Sequence, residues 1–307
     1  MNYYLAPMEG ITGYTYRNVY RKYFVEADKY FTPFISTHEK LGNKEKRELD
    51  PQNNIGINLI PQIMIGSVRE ELQLEKLITP YGYDELNINA GCPSGTVANK
   101  ARGAGLLRDT DYLDELFENL FDNCTCKLSL KTRLGWSDVS EWEEIAKIIG
   151  RYPFREVIIH TRVREEFYRG KAHDEAMDIA GEYIKVPKCY NGDIYTVEDA
   201  RNIQDKYPWL DAIMIGRGIL QNPALIDELK GQDLSTRSER ILEFMEDMFE
   251  TYLVLFNSEI NTLFHMKELW GYLGNSYPGH EKELKTIRKT RNITEYKLAV
   301  RRILLDK

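Results

Sequence analysis

Short apolar and β-branched runs recur along the chain at intervals of roughly 25 to 35 residues, the spacing of strands that alternate with helices. Between them lie amphipathic segments, such as residues 111–121 and 141–149, with apolar positions at i, i+3 and i+4. Eight repeats of this unit predict an α/β fold, a closed (β/α)₈ TIM barrel. The predicted strands are residues 3–8, 29–36, 59–66, 85–92, 127–133, 156–161, 188–193 and 212–216.

The pattern changes near a break at Gly231-Gln232-Asp233. From about Ser235 onward only helical periodicities occur, and the last helices carry basic residues such as Arg288 and Arg301. We therefore predict a barrel over residues 1–234 and a small all-helical C-terminal domain over residues 235–307.

Composition narrows the classes of function. A chain of 307 residues that is 42% hydrophobic can bury a large core, and its net charge of −7 argues against broad, non-specific nucleic-acid binding. It has no basic leader before an apolar segment and no run of 18 apolar residues, which predicts a cytoplasmic protein without membrane contact. Cys124-Thr125-Cys126 lacks a second Cys/His cluster, so no metal site is expected.

Cys92 ends the fourth predicted strand and directly precedes Pro93. Proline lacks an N–H donor and fixes its own φ, so strand pairing should stop here. The thiol would then stand at the C-terminal rim of the barrel, where such folds place their chemistry. This position favours an acid or a nucleophile over a packing residue.

Polar residues stand at the ends of most predicted strands, more than core packing requires. A buried donor without a partner costs about 1–3 kcal/mol, so a polar ligand is expected to satisfy them. The inward or terminal positions of the strands carry Pro7, Met8 and Glu9, then Gln62, Asn89, Lys131, Arg133, His160, Arg162, Asn191, Gly192, Asp193, Gly216 and Arg217.

The loops after strands seven and eight place glycines beside Arg217, a pattern typical of a phosphate site in barrels. With Lys131, His160 and Gln62 nearer the centre, it suits a phosphorylated ring cofactor. The alternatives are plain turn glycines at 192 and 218, an internal salt bridge for Lys131 and a packed core histidine for His160.

Seven short motifs occur in order over residues 5–223. They are Leu5-Ala6-Pro7-Met8-Glu9-Gly10, Asn89-Ala90-Gly91-Cys92-Pro93-Ser94, Gly103-Ala104-Gly105-Leu106-Leu107, Lys131-Thr132-Arg133-Leu134-Gly135-Trp136, His160-Thr161-Arg162, Asn191-Gly192-Asp193-Ile194 and Ile215-Gly216-Arg217-Gly218. In these motifs the chain resembles the tRNA-dihydrouridine synthase family, and the cysteine block is specific to that family.

The resemblance implies a flavin-binding barrel that reduces the C5–C6 bond of a uridine in the D-loop of tRNA. NADPH or NADH would reduce FMN, the flavin N5 would deliver hydride to C6, and Cys92 would protonate C5. Thiols ordinarily stay protonated at neutral pH, as an acid must. The implied FMN-binding residues are Pro7, Met8, Glu9, Gln62, Lys131, His160, Asn191, Gly192, Asp193, Gly216 and Arg217.

A uridine in a folded loop must be flipped out to reach a barrel mouth, which implies a positive rim. Tyr168 and Trp136 are candidate stacking platforms, and a solvated charged face is the alternative for any one cation. The candidate substrate-binding residues are Asn89, Lys100, Arg102, Arg133, Arg162, His265 and Lys267, with Arg164, Arg169 and Lys171 nearby.

Two features depart from the family. Gly95 stands where many members carry a lysine or arginine after Cys-Pro-Ser, and the net charge is unusually acidic for an RNA enzyme. The rival hypotheses are a flavin-dependent reductase of a free pyrimidine and a tRNA-binding protein without catalysis. A monomer is expected.

Overall fold

The structure is a computed structural model that describes residues 1–36 and 39–305. The chain forms two compact units. The barrel unit comprises Met1–Pro7, Asp28–Asp193 and Arg201–Ile215, and the helical unit comprises Met8–Ala27, Ile194–Ala200 and Gly216–Lys307. The predicted domain boundary at residue 235 stays a prediction.

All strands of the described chain lie in the barrel unit and pair in parallel. They are β1 (Asn2–Leu5), β2 (Tyr30–Phe31), β3 (Ile35–Ser36), β4 (Leu59–Ile60), β5 (Gln62–Met64), β6 (Glu85–Ala90), β7 (Lys127–Arg133), β8 (Val157–His160), β9 (Lys188–Asn191) and β10 (Ala212–Ile215).

Hydrogen bonding closes these strands into a ring. One sheet runs β1-β10-β9-β8-β7-β6-β5-β3, and β2 pairs separately with β4. Tyr4 of β1 bridges to Lys29, directly before β2, and the Leu5 amide donates to the Lys29 carbonyl at 3.1 Å. The predicted (β/α)₈ barrel and its eight strand positions are therefore confirmed.

Two of the eight predicted strands are interrupted, the second between β2 and β3 and the third between β4 and β5. Pro33 and Pro61 stand at these interruptions, and proline cannot donate a ladder hydrogen bond. The Gln62 amide donates instead to the Thr32 hydroxyl at 2.9 Å. A side chain thus replaces one backbone link between the two strands.

Helices connect the strands and make up the described chain after residue 236, together with short turns. The predicted segments 111–121 and 141–149 are present as α5 and α6. None of the described helices has the length and apolar character needed to cross a membrane. The helices are α1 (Tyr14–Tyr23), α2 (Asn43–Leu49), α3 (Val68–Ile78), α4 (Gly95–Ala98), α5 (Thr110–Asn123), α6 (Trp142–Ile149), α7 (Ala176–Tyr183), α8 (Val197–Lys206), α9 (Arg217–Gln221), α10 (Leu225–Leu229), α11 (Arg237–Phe256), α12 (Glu259–Leu273), α13 (Glu281–Lys289) and α14 (Ile293–Leu305).

The interior of the barrel is apolar near its N-terminal end and polar towards the other. Glu156, which directly precedes β8, is buried there but paired: it accepts from the Tyr4 hydroxyl at 2.7 Å and from Lys29 at 3.0 Å. A buried charge with such partners is tolerated. The apolar layer consists of Tyr4, Ala6, Phe31, Ile60, Ile158, Cys189, Ala212 and Met214.

In the helical unit, α1 packs against α11 around one phenylalanine. The Phe244 ring is buried, and the rings of Tyr16 and Phe24 meet its ring at centroid distances of 5.7 and 5.4 Å in edge-on geometry. Aromatic pairs favour this arrangement. Phe244 is therefore the centre of the α1–α11 contact.

We expect Phe244→Ala to lower the free energy of unfolding by about 3–5 kcal/mol, because it leaves a cavity among packed rings. Phe264→Ala is the matched control, since that side chain is 67% exposed. Urea unfolding followed by circular dichroism measures both. Equal midpoints for the two variants would contradict the assignment.

Candidate functional site

Cys92 lies two residues beyond the end of β6 and is partly exposed. The Asn89 side-chain oxygen accepts hydrogen bonds from the amides of Gly91 at 3.0 Å and Cys92 at 2.9 Å. The Cys92 carbonyl accepts from the Ala104 amide at 3.1 Å. The backbone that carries the thiol is thus held from both sides.

A chain of side-chain hydrogen bonds leads from this loop into the barrel. Asn89 donates to Gln62 at 2.8 Å, Gln62 to Asn87 at 2.8 Å, and Asn87 to the Ser129 hydroxyl at 3.0 Å. All four residues are buried. These amides satisfy one another, so Gln62 has partners within the barrel, and its predicted contact with a cofactor stays a prediction.

Two glycines let the segment after Cys92 pack closely. Gly103 has φ +54°, and a Cβ there would lie 3.0 Å from both the Cβ and the carbonyl oxygen of Cys92. A Cβ on Gly105 would lie 2.2 Å from the Ala98 carbonyl oxygen. The Gly-Ala-Gly motif therefore seats this segment directly against the cysteine.

Arg133, a candidate substrate-binding residue, is only 1% exposed. Its Nε donates to the Gly91 carbonyl at 2.8 Å and its Nη1 to the Val163 carbonyl at 3.0 Å. The guanidinium also lies 5.4 Å from the centroid of the Tyr168 ring. Arg133 thus joins the loops that follow β6 and β8.

Arg162 is equally buried and holds the loop after β8. Its Nη2 donates to the Gly170 carbonyl at 2.8 Å and forms an ion pair with Asp193, and its Nη1 lies 3.4 Å from His160 Nε2. The structure therefore brings His160, Arg162 and Asp193 together.

Lys131 is partly exposed at the mouth of the barrel. Its ammonium donates to the Asn191 side-chain oxygen at 2.9 Å, and Asn191 donates onward to the Met214 carbonyl at 3.0 Å. Within the described chain no carboxylate pairs with Lys131, which removes the salt-bridge alternative. Burial, reinforced by the charge of Arg133, lowers the pKa of Lys131 from its usual 10.5 to about 8.

The remaining candidates of the barrel unit differ in their surroundings. Lys100 is exposed, whereas Arg102 forms an ion pair with Glu70, which also accepts the Gly66 amide at 2.7 Å. Pro7 is partly exposed after β1. A Cβ on Gly192 would lie 2.0 Å from the Tyr190 hydroxyl, so packing alone requires a glycine there.

The helical unit contains Met8, whose amide donates to the Thr12 hydroxyl at 2.7 Å, and the exposed Glu9. Gly216 and Arg217 follow β10 directly in the chain. The Arg217 guanidinium lies 5.6 Å from the centroid of the Tyr195 ring.

Two substrate-binding candidates lie on α12. The His265 ring stacks on Phe256 at a centroid distance of 4.5 Å, and burial lowers its pKa. The Lys267 ammonium donates to the Thr290 carbonyl at 2.5 Å. Both side chains therefore contribute to packing within the helical unit.

The two candidate stacking rings differ in exposure. The guanidinium carbons of Arg108 and Arg164 each lie 4.5 Å from the Trp136 ring centroid, so cations already occupy its surface. Tyr168 is 51% exposed, with its ring 5.9 Å from that of His160. Tyr168, although it also lies near the Arg133 guanidinium, is thus the more exposed of the two rings.

Sequence reasoning missed Asn87, Ser129 and Glu70. The first two stand at alternate positions of their strands, on the same side as Asn89 and Lys131, so the period of two could have found them. Glu70 lies on α3 and carries no comparable signal, because its partner Arg102 is 32 residues away in sequence.

Comparisons with known proteins show which family the chain resembles and which solved structures share its fold. A family model described as dihydrouridine synthase matches residues 4–297. The tRNA-dihydrouridine synthase B of Pasteurella multocida is 31% identical over 262 residues, covering 81% of this chain and 78% of that protein. A probable tRNA-dihydrouridine synthase of Rhizobium leguminosarum is 29% identical over 297 residues, covering 94% of this chain and 92% of that protein.

Solved structures share the fold at low identity. Morphinone reductase in complex with tetrahydroNAD aligns with a TM-score of 0.52 and 9% identity, covering 75% of this chain and 86% of that one. The old yellow enzyme homologue of Zymomonas mobilis aligns with a TM-score of 0.53 and 12% identity, covering 75% and 88%. These similarities show a common barrel architecture.

We expect Asn89→Ala to speed hydrogen exchange at the amides of Gly91 and Cys92 about 10-fold or more, because each loses its acceptor at a cost of roughly 1–3 kcal/mol. Asn123→Ala is the control, since this exposed amide donates only to the Asn119 carbonyl. Hydrogen exchange at these two amides is measured by mass spectrometry in the wild type and in both variants. Unaltered protection of both amides in Asn89→Ala would contradict the anchoring role.

Proposed function

The chain belongs to the dihydrouridine synthase family, and we propose that it is a flavin-dependent enzyme that reduces a uridine of tRNA to 5,6-dihydrouridine. The proposal specifies FMN as cofactor, NADPH or NADH as reductant and the D-loop of tRNA as target. Because its substrate would be tRNA, we place its action in the cytoplasm.

One observation carries the proposal: a partly exposed thiol is held rigidly just beyond the C-terminal end of a barrel strand. Asn89 fixes the Cys92 amide, and Arg133 fixes the neighbouring Gly91 carbonyl. Such anchoring suits a group that must meet one atom of a substrate in one geometry. The β7 residue directly opposite Asn89 in register is Lys131.

The polar groups of the barrel mouth fit a flavin. Lys131 has three N–H donors and uses one on Asn191, which leaves donors for the electron-rich edge of a ring. His160 and Asn191 stand opposite each other at the ends of β8 and β9, and with Gln62 of β5 they would complete the ring contacts. Gly216 and Arg217 stay the predicted phosphate-binding residues. Bound and reduced flavin would supply the hydride for C6 of the uracil.

Cys92 would act as the general acid. Its S–H donates a proton to C5 as hydride reaches C6, and the thiolate then regains a proton from solvent. Lys131 would stabilise negative charge on the ring beside it. Asn89 and Arg133, predicted from the sequence to bind the substrate, would instead hold the Cys92 loop in position.

We infer that tRNA contacts exposed cations and rings near the mouth. Lys100 and Tyr168 are exposed, and Arg164 donates to the Pro93 carbonyl, which keeps a cation beside the cysteine loop. Residues 235–307 are proposed to bind the body of the tRNA, since α13 ends in Arg288 and Lys289. The target uridine would be flipped into the barrel.

We expect Cys92→Ala to slow dihydrouridine formation by about 10²–10⁴-fold, the usual contribution of a positioned acid. The assay contains FMN, NADPH and unmodified tRNA transcript, with nucleosides measured by mass spectrometry and D-loop fragments mapped after nuclease digestion. The variant should keep its flavin absorbance and its affinity for tRNA. A wild-type rate in the variant would rule out Cys92 as the acid. If the wild-type protein reduced free uridine but not tRNA, the result would favour a pyrimidine reductase.

The pKa of Lys131 predicts how flavin affinity depends on pH. Since burial lowers this pKa to about 8, the ammonium charge is largely present at pH 7 and is lost as pH rises through 8. We expect the dissociation constant of FMN to increase several-fold between pH 7 and 9 in the wild type. Lys131→Met should bind FMN more weakly, with a nearly flat profile over that range. Parallel pH profiles for the two proteins in fluorescence titrations would refute this role.

A further inference from the structure

A second cluster of reactive side chains lies in the barrel unit at the start of β7, at the other end of the strand from Arg133. Glu71 and Glu75 stand four residues apart on one face of α3. Cys124 and Cys126 flank Thr125 in the turn that leads into β7. The Cys124 thiol donates to Glu71 Oε2 at 2.7 Å, and the Cys126 thiol lies 3.6 Å from Glu71 Oε1.

The two carboxyl groups are buried without a cation. Glu71 is fully buried and Glu75 is 7% exposed. Glu75 accepts from the amide and hydroxyl of Thr125, and Glu71 contacts the two thiols. In the part of the chain that the structure describes, no lysine or arginine pairs with either carboxyl group. Buried acidic groups ordinarily have a cationic partner or bind a metal.

We propose that this cluster binds one zinc ion through Cys124, Cys126, Glu71 and Glu75. Ligand atoms of Glu71, Glu75 and Cys124 lie within 4.8 Å of one another. In a tetrahedral zinc site, a sulfur at about 2.3 Å and an oxygen at about 2.0 Å from the metal stand about 3.5 Å apart. The Cys126–Glu71 distance of 3.6 Å matches this edge, whereas the Cys124–Glu71 distance of 2.7 Å is that of a hydrogen bond and would lengthen as the metal replaces the thiol proton.

The ligand types favour zinc over harder ions. Thiolates select soft or borderline metals, whereas magnesium and calcium prefer sites made of oxygen alone. As the two metal–sulfur bonds form, both thiols release their protons to solvent. Both cysteines are partly exposed, which gives the ion a route of entry.

The site would act as a structural clamp. It ties α3 to the start of β7, the strand that carries Lys131 and Arg133. The N-terminal end of a barrel ordinarily serves stability, while the chemistry lies at the other end. The sequence around Cys124-Thr125-Cys126 predicted no metal site, because the two glutamates come from a helix about 50 residues earlier in the chain. The proposal does not depend on the enzymatic function.

The experiment uses full-length protein, freed of metal by a chelator and titrated with Co²⁺ as a spectroscopic probe. We expect about one equivalent to bind, with thiolate-to-cobalt charge-transfer absorption and the visible bands of tetrahedral cobalt, and Zn²⁺ should displace it. Cys124→Ser and Glu71→Gln should each weaken binding by 10-fold or more. Asp122→Asn is the matched control, since this exposed acid lies two residues before Cys124 and should leave binding unchanged.

Two further measurements make the result decisive. In Cys92→Ala the cobalt signal should persist; its loss would place the metal at the other cysteine and overturn the proposal. In the wild type, Zn²⁺ should raise the melting temperature above that of the chelated protein. This measurement uses only the wild-type protein, so it does not depend on whether a variant folds. Absence of a charge-transfer band, or equal melting temperatures with and without Zn²⁺, would also overturn it.

Discussion

The structure depends on one constraint: polar side chains that point into a closed barrel must find partners inside it. Asn89, Gln62, Asn87 and Ser129 meet this requirement by bonding to one another across three strands. The chain of amides ends on the backbone of Cys92. Because an unpaired buried amide is costly, a shift of the Cys92 loop would disturb the barrel interior as well. The position of the thiol is thereby coupled to the core.

Arg133, Arg162 and Lys131 of the barrel unit have two different roles: the arginines hold loops in place, and the lysine can contact a ligand. Arg133 and Arg162 are almost wholly buried. Their guanidinium groups donate hydrogen bonds to loop carbonyls, and that of Arg162 also pairs with Asp193. Planar, multivalent donors suit this task, since one side chain can hold two loops together. Lys131 differs, because its single described partner is an amide oxygen. Of these three cations, Lys131 is therefore the one with donors left for a ligand.

Much of the fold was predictable because its signals are local. Strand positions followed from apolar runs and their spacing, and Pro33 and Pro61 mark where two strands break. The glycines at 103 and 105 were visible as a motif, but their reason lies in contacts with Cys92 and Ala98. The roles of Arg133 and Arg162 were not predictable, since a buried guanidinium and a surface guanidinium look alike in sequence. What distinguishes a buried arginine is its hydrogen-bond partners, and these come from other loops of the chain.

The sequence by itself determined the eight strand positions, the helical C-terminal region, the family and the place of Cys92 at the end of the fourth strand, because periodicity and motifs are properties of neighbouring residues. Only the tertiary structure decided which polar groups satisfy each other. Gln62 found its partners in Asn87 and Asn89, and the Cys124-Thr125-Cys126 turn met Glu71 and Glu75 of α3. These hydrogen bonds join residues that are distant in sequence, so they form only when the barrel closes.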